Sequence, residues 1–139
     1  MSASGIVRDG TLRNLPAFRE FVEDRARRAG LPEDVVFALK LAVDEVCANV
    51  IEHGYRGLAP GPIEVEFAHD AECATVTVTD HGRPFDPRDV PAPDTTLAWE
   101  GRPVGGLGWH LIRSVIDDVD YAAGPGGNVL RLVKRLRGE

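Results

Sequence analysis

The sequence predicts an α/β protein of the α+β two-layer kind: a sandwich in which helices pack on one face of a mostly antiparallel, mixed sheet. Two stretches with apolar residues at helical spacing come first, and two pairs of stretches with alternating apolar residues follow. A long segment rich in proline and glycine separates those pairs. The expected order is helix, helix, strand, strand, loop, helix, strand, strand.

Leu12, Leu15, Phe18, Val22 and Ala26 recur at helical spacing and Gly30 follows, which predicts a helix over about residues 11–29 closed by a C-terminal glycine. Pro32 suits a first helical turn, and Glu33 and Asp34 favour the positive end of its dipole. This second helix runs to His53-Gly54, with Val35, Leu39, Val43, Val46 and Val50 on its core side. Ile63, Val65 and Phe67 alternate with Glu64 and Glu66, and Val76 and Val78 alternate with Thr75, Thr77 and Thr79, so two antiparallel strands are expected. Between Asp80 and Gly108 the pattern stops, and five of the ten prolines lie from Pro84 to Pro103. A loop of that length in a small domain is commonly functional. A third helix is expected from near Gly108, carrying Leu111, Ile112, Val115, Ile116 and Val119 on one stripe. The chain then reads as a hairpin: Val119-Asp120-Tyr121, a turn from Gly124 to Asn128, and a strand with Val129, Leu130, Leu132 and Val133.

With 139 residues, a single domain over 1–139 is expected, long enough to bury one core without staples. The net charge of −6 argues against a direct nucleic-acid partner, which needs a basic face. Its basic clusters, Arg25/Arg27/Arg28 and Arg131/Lys134/Arg135/Arg137, read as a solvated helix face and a strand's polar edge. Cys47 and Cys73 have no metal-ligand spacing and read as small buried hydrophobes. No apolar run suggests a membrane span, and MSASGIVRDG has neither a basic nor an apolar leader region. A soluble, cytoplasmic protein is expected.

Three elements carry chemistry. Glu45 and Asn49 are four apart on the second helix, so they share a face at the margin of its core side. A carboxylate suits proton abstraction, and an amide oxygen beside it suits a hard cation such as Mg²⁺, although an ordinary surface pair reads the same way. Asp80-His81-Gly82 stands where a strand gives way to loop, placing an acceptor for an amino group beside a glycine that a flat ring can approach; turn chemistry is the bland alternative. Gly105, Gly106 and Gly108 lead into a helix N-terminus, which would aim several backbone N–H groups at one point, as a phosphate requires. The run matches neither GxxxxGK[ST] nor a dinucleotide fingerprint, and a flexible hinge is its bland reading.

Taken in order, LAVDEVCANVIEHGY, VTDHGRPFDP and GGLGWHLIRSVIDDVDY resemble the N box and two glycine boxes of the anti-sigma-factor serine/threonine kinases. These belong with gyrase, heat-shock chaperones, histidine kinases and mismatch-repair proteins in one ATPase superfamily, and the likeness covers nearly the whole chain. The resemblance implies a Bergerat-type, histidine-kinase-like ATPase domain that binds ATP or ADP with Mg²⁺. By resemblance Glu45 is the general base, Asn49 the Mg²⁺ ligand and Asp80 the acceptor for the adenine amino group. Gly82 lies beneath the ring, Phe85 borders the nucleotide, and Gly105, Gly106, Leu107 and Gly108 hold its phosphates. Residues from about 85 to 103 are the lid. His53 reads as a capping or core histidine. Pro84 and Trp109 depart from the family pattern, and Asn128 stands where some relatives carry a threonine near the nucleotide.

The implied function is phosphorylation of a small anti-anti-sigma antagonist, with a sigma factor or a response-regulator phosphatase system on the other side of the switch. The resemblance also allows a homodimer. The alternative is a nucleotide-dependent binding or sequestration module with little or no kinase activity.

Overall fold

The computed structural model describes residues 4–86 and 112–136. Five strands, β1 (Ser4–Asp9), β2 (Pro62–His69), β3 (Cys73–Asp80), β4 (Asp118–Gly124) and β5 (Gly127–Arg135), form one sheet in the order β1-β2-β3-β5-β4. Two helices, α1 (Leu15–Arg28) and α2 (Glu33–Asn49), lie between β1 and β2 in the chain. Every pairing among the described strands is antiparallel, so the two-layer fold is borne out while the expected mixed sheet is corrected to a purely antiparallel one.

Strand alternation decides which face is buried. Ile63, Val65 and Phe67 of β2, Ala74, Val76 and Val78 of β3, and Leu130 and Leu132 of β5 are all buried. Their alternates, Glu64, Glu66, Thr75, Thr77 and Thr79, stay half-exposed on the other face. Phe18, Val22 and Ala26 of α1 and Val35, Leu39, Val43 and Val46 of α2 complete one core. Helix α1 packs along α2 and reaches β2, whereas α2 lies over β3 and β5. Each large side chain buried there contributes about 1.5–3 kcal/mol.

Several boundaries differ from the sequence reading. The expected first helix begins as a 3₁₀ turn, Leu12–Asn14, before α1 proper. The strand β1 was not expected: SGIVRD shows no alternation, and pairing to β2 along its whole length makes it an edge strand. Its Ile6 packs on the core while Val7 points out at 52% exposure. The turn between β4 and β5 is Pro125-Gly126 alone, because Gly124 already pairs with Gly127. Of the third helix only residues 112–115 are described, and Val119 belongs to β4. Cys47 is buried as expected, and Cys73 is half-buried.

Beyond Asn49 the second helix continues as a π turn, Val50–Gly54, in which the Tyr55 N–H donates to the Val50 carbonyl at 3.0 Å. Tyr55 then ties three loops together. Its hydroxyl donates to the Pro62 carbonyl at 2.7 Å and accepts from the His81 N–H at 3.0 Å. Removing that hydroxyl leaves both backbone groups without a partner. Tyr55→Phe is expected to destabilise the protein by about 1–3 kcal/mol in urea denaturation. A change below about 0.5 kcal/mol, the scale of an ordinary surface substitution, would show that the bridge is dispensable.

Candidate functional site

The inward alternation of β3 and β5 ends on two polar residues. Val76, Val78 and Asp80 share one face of β3, as Leu132, Leu130 and Asn128 share the matching face of β5, and Asp80 pairs directly opposite Asn128. Both are buried. Asp80 Oδ1 accepts from the Gly82 N–H at 2.8 Å and from Asn128 Nδ2 at 2.9 Å, and Nδ2 also donates to the Gly82 carbonyl at 2.9 Å. Gly82 is held against the π turn: a Cβ there would lie 2.5 Å from the Gly54 carbonyl oxygen, so only glycine fits. The Arg83 N–H donates to that same oxygen at 2.7 Å.

Helix α2 supplies the opposite wall. Asn49, in its last turn, is 3% exposed, and no described residue hydrogen-bonds its carboxamide. Glu45, one turn earlier, is half-buried and has no cationic partner among the described residues. Burial raises its pKa first, and the neighbouring charges of Asp44 and Glu52 raise it further. Arg19 of α1 pairs with the adjacent Asp44 at 2.7 Å.

Between these walls lies a narrow pocket lined by Val46, Asn49 and Val50 from the helix side, Val78, Asp80, Leu130 and Tyr121 from the sheet, and Phe85. Its volume is about 10 Å³, room for little more than one water. Phe85 sets that size: its N–H donates to the Tyr121 hydroxyl at 2.9 Å, and its ring stacks on His53 with centroids 4.9 Å apart. A wider groove of about 460 Å³ lies beyond Gly82 and Asn128, bordered by His81, Pro84 and the β4–β5 turn.

The structure thus brings Asn49, Asp80 and Phe85 into one pocket, places Gly82 at its edge, and sets Glu45 a helical turn behind Asn49. Gly105, Gly106, Leu107 and Gly108, and the expected lid beyond Asp86, lie outside the described residues. His53 neither caps α2 nor enters the core but lies against Phe85. Sequence reading assigned no site role to Val46, Val50, Val78, Tyr121 and Leu130, although helix spacing and strand parity could have found them. Among the described residues no group of three or more His, Cys, Asp or Glu side chains could hold a metal alone. A hard cation at Asn49 would therefore need oxygens from a phosphate and from water, a donor set that suits Mg²⁺. No helix among the described residues is long and apolar enough to cross a membrane.

The family model of the histidine kinase-like ATPase domain matches residues 9–134. The serine-protein kinase RsbW of Listeria monocytogenes is 34% identical over 98 residues, 68% of this chain and 62% of the relative. RsbW of Bacillus velezensis is 30% identical over 118 residues, covering 82% of this chain and 73% of the relative. Among solved structures, the RsbU and RsbW domains of Rv1364c from Mycobacterium tuberculosis superpose with a TM-score of 0.70 at 19% identity, over 98% of this chain and 33% of that one. A blue-light activated histidine kinase, EL346 of Erythrobacter litoralis, gives a TM-score of 0.55 at 19% identity, over 76% of this chain and 32% of that one. These two likenesses show the same fold. The chain spans about three fifths of the Listeria relative's length, 62%, and a third of either solved chain.

The raised pKa of Glu45 has a definite pH signature. From about pH 4.5 up to its folded value, the folded state holds a proton that the unfolded state has released, so Glu45 makes stability fall as pH rises through that window. In Glu45→Gln this contribution disappears, and the carboxylates that do not interact with Glu45 act alike in both proteins. The stability of Glu45→Gln relative to wild type, from urea midpoints, is expected to grow with pH from about 4.5 and level off above the raised folded-state pKa. A constant difference across the window would show that the carboxyl is not shifted.

Proposed function

The chain belongs to the histidine kinase-like ATPase domain family and, within it, to the RsbW type of serine-protein kinase, and from that premise we propose that it transfers the γ-phosphoryl group of ATP to a serine or threonine of a small anti-anti-sigma antagonist. A sigma factor or a response-regulator phosphatase system is the partner released or captured in exchange. The observation that carries this reading is a buried Asn49, its carboxamide hydrogen-bonded by no described residue, one helical turn after Glu45 and opening on a pocket floored by Asp80.

In this reading the adenine amino group donates to Asp80, and Gly82 lets the ring approach the backbone. Val46, Val50, Val78 and Leu130 supply apolar walls that remove water from the ring faces. Phe85 leaves the pocket to admit the base and then borders it. The backbone N–H groups of Gly105, Gly106, Leu107 and Gly108 receive the phosphates. Asn49 offers its amide oxygen to Mg²⁺, whose contribution when bound is to neutralise phosphate charge. Glu45 accepts the proton of the substrate hydroxyl, and the burial that raises its pKa makes it a stronger proton acceptor than an exposed carboxylate.

The test combines the full chain with labelled ATP, Mg²⁺ and the antagonist protein. Wild type is expected to transfer label, and Glu45→Ala to lower the rate by about 10²–10⁴-fold with ATP affinity nearly unchanged. Tight ATP binding with no transfer to any partner would overturn the kinase reading in favour of a sequestration module.

A further inference from the structure

Three polar side chains are buried among the described residues: Asn49, Asp80 and Asn128. The first two have roles in the reading above, and the third has none. From its geometry we infer that Asn128 is a positioning residue for nucleobase selection, acting through Asp80 to make the pocket demand an amino group on the purine edge. The inference rests on the proposal that this pocket takes ATP.

A carboxamide carries two N–H donors on one nitrogen, and both are engaged here, one by Asp80 Oδ1 at 2.9 Å and one by the Gly82 carbonyl at 2.9 Å. Since both partners are acceptors, the amide can face only one way. Asp80 Oδ1 receives a second donor, the Gly82 N–H at 2.8 Å, and no described residue pairs with Oδ2. Two donors on one oxygen stop the carboxylate from rotating, and Asp80 lines the pocket. It therefore presents one oxygen, in one direction, as an acceptor to whatever enters. A base edge with an exocyclic amino group satisfies that oxygen; an edge with hydrogen or a carbonyl leaves it unpaired.

Asn128 is suited to this task by its place. It stands directly across from Asp80 on the inward face of β5, and the backbone is fixed by Gly127 at φ 112°, where a Cβ would lie 2.7 Å from the Asp80 carbonyl oxygen. Without the carboxamide, Asp80 keeps only the Gly82 N–H, and the Gly82 carbonyl loses its donor. The carboxylate is then free to turn, and selection for the amino group weakens while the apolar walls remain.

The experiment measures binding of two probes to the full chain with Mg²⁺ by calorimetry: ATP, and purine riboside triphosphate, which lacks only the 6-amino group. Wild type is expected to favour ATP by about tenfold or more. Asn128→Ala is expected to lose most of that gap, mainly through weaker ATP binding. If both nucleotides weaken equally and the gap survives, Asn128 is only a structural strap and the inference is overturned. Should Asn128→Ala fail to fold, Asn128→Val, which carries no donor to Asp80, serves for the same comparison, and an unreduced gap again overturns the inference. A wild-type protein that binds ATP without favouring it overturns this inference alone. One that binds neither nucleotide overturns the proposed function as well.

Discussion

A carboxylate at the end of an apolar strand face must be restrained on one side before it can serve a ligand on the other, and the rest of this structure is arranged around that requirement at Asp80. Its inward direction follows from the parity of β3, which also buries Val76 and Val78. Burial of an acceptor without donors is costly, so the fold supplies two donors to Oδ1: the Gly82 N–H two residues on and the Asn128 carboxamide from the neighbouring strand. Both depend on close backbone approach. Gly82 lies against Gly54, and Gly127 lies against the Asp80 carbonyl. A side chain at either position would push apart the elements whose meeting creates the pocket.

The π turn after α2 makes that meeting geometrically feasible. The wider turn is closed by Tyr55 N–H on Val50, and the Gly54 carbonyl points sideways to accept from Arg83. The end of α2 is therefore joined to the loop after β3 by a backbone bond, and Tyr55 adds a second tie through the His81 N–H. Asn49 on the helix and Asp80 on the sheet are thereby held on opposite walls of the pocket that Phe85 also lines.

Much of this was legible in the sequence, and what was not has physical reasons. The helices and four of the strands announce themselves because each buries a single stripe or face, which forces apolar residues into a period. Edge strand β1 has little to bury beyond Ile6, so its pairing with β2 is a tertiary fact with no periodic trace. Glu45, Asn49 and Asp80 stand out because polar residues interrupt apolar patterns. Asn128 interrupts one just as clearly, at the inward position of β5, but its place after Gly126-Gly127 made it read as the end of a turn. The shortness of the real turn, two residues, is what turns Asn128 from a loop residue into the cross-strand partner of Asp80. The π turn had no signal of its own, since VIEHG continues the helical spacing.

Charge on α2 is distributed so that stability and chemistry do not compete for the same carboxylate. Asp44, Glu45 and Glu52 crowd one end of the helix, and a cation from α1 could relieve any of them. Arg19 relieves Asp44, at 2.7 Å. That pair is more than a third exposed on both sides, so it contributes at most about 1 kcal/mol. Had Arg19 paired with Glu45 instead, the gain in stability would have been of the same order, but the guanidinium would have lowered the carboxyl's proton affinity and opposed its use as a proton acceptor. With the cation one residue away, Glu45 keeps its desolvation and feels two like charges, both of which favour taking up a proton. The small loss from leaving one half-buried carboxylate unpaired among the described residues is thus the condition for the chemistry proposed here, and it locates the trade between folding and function at one side chain.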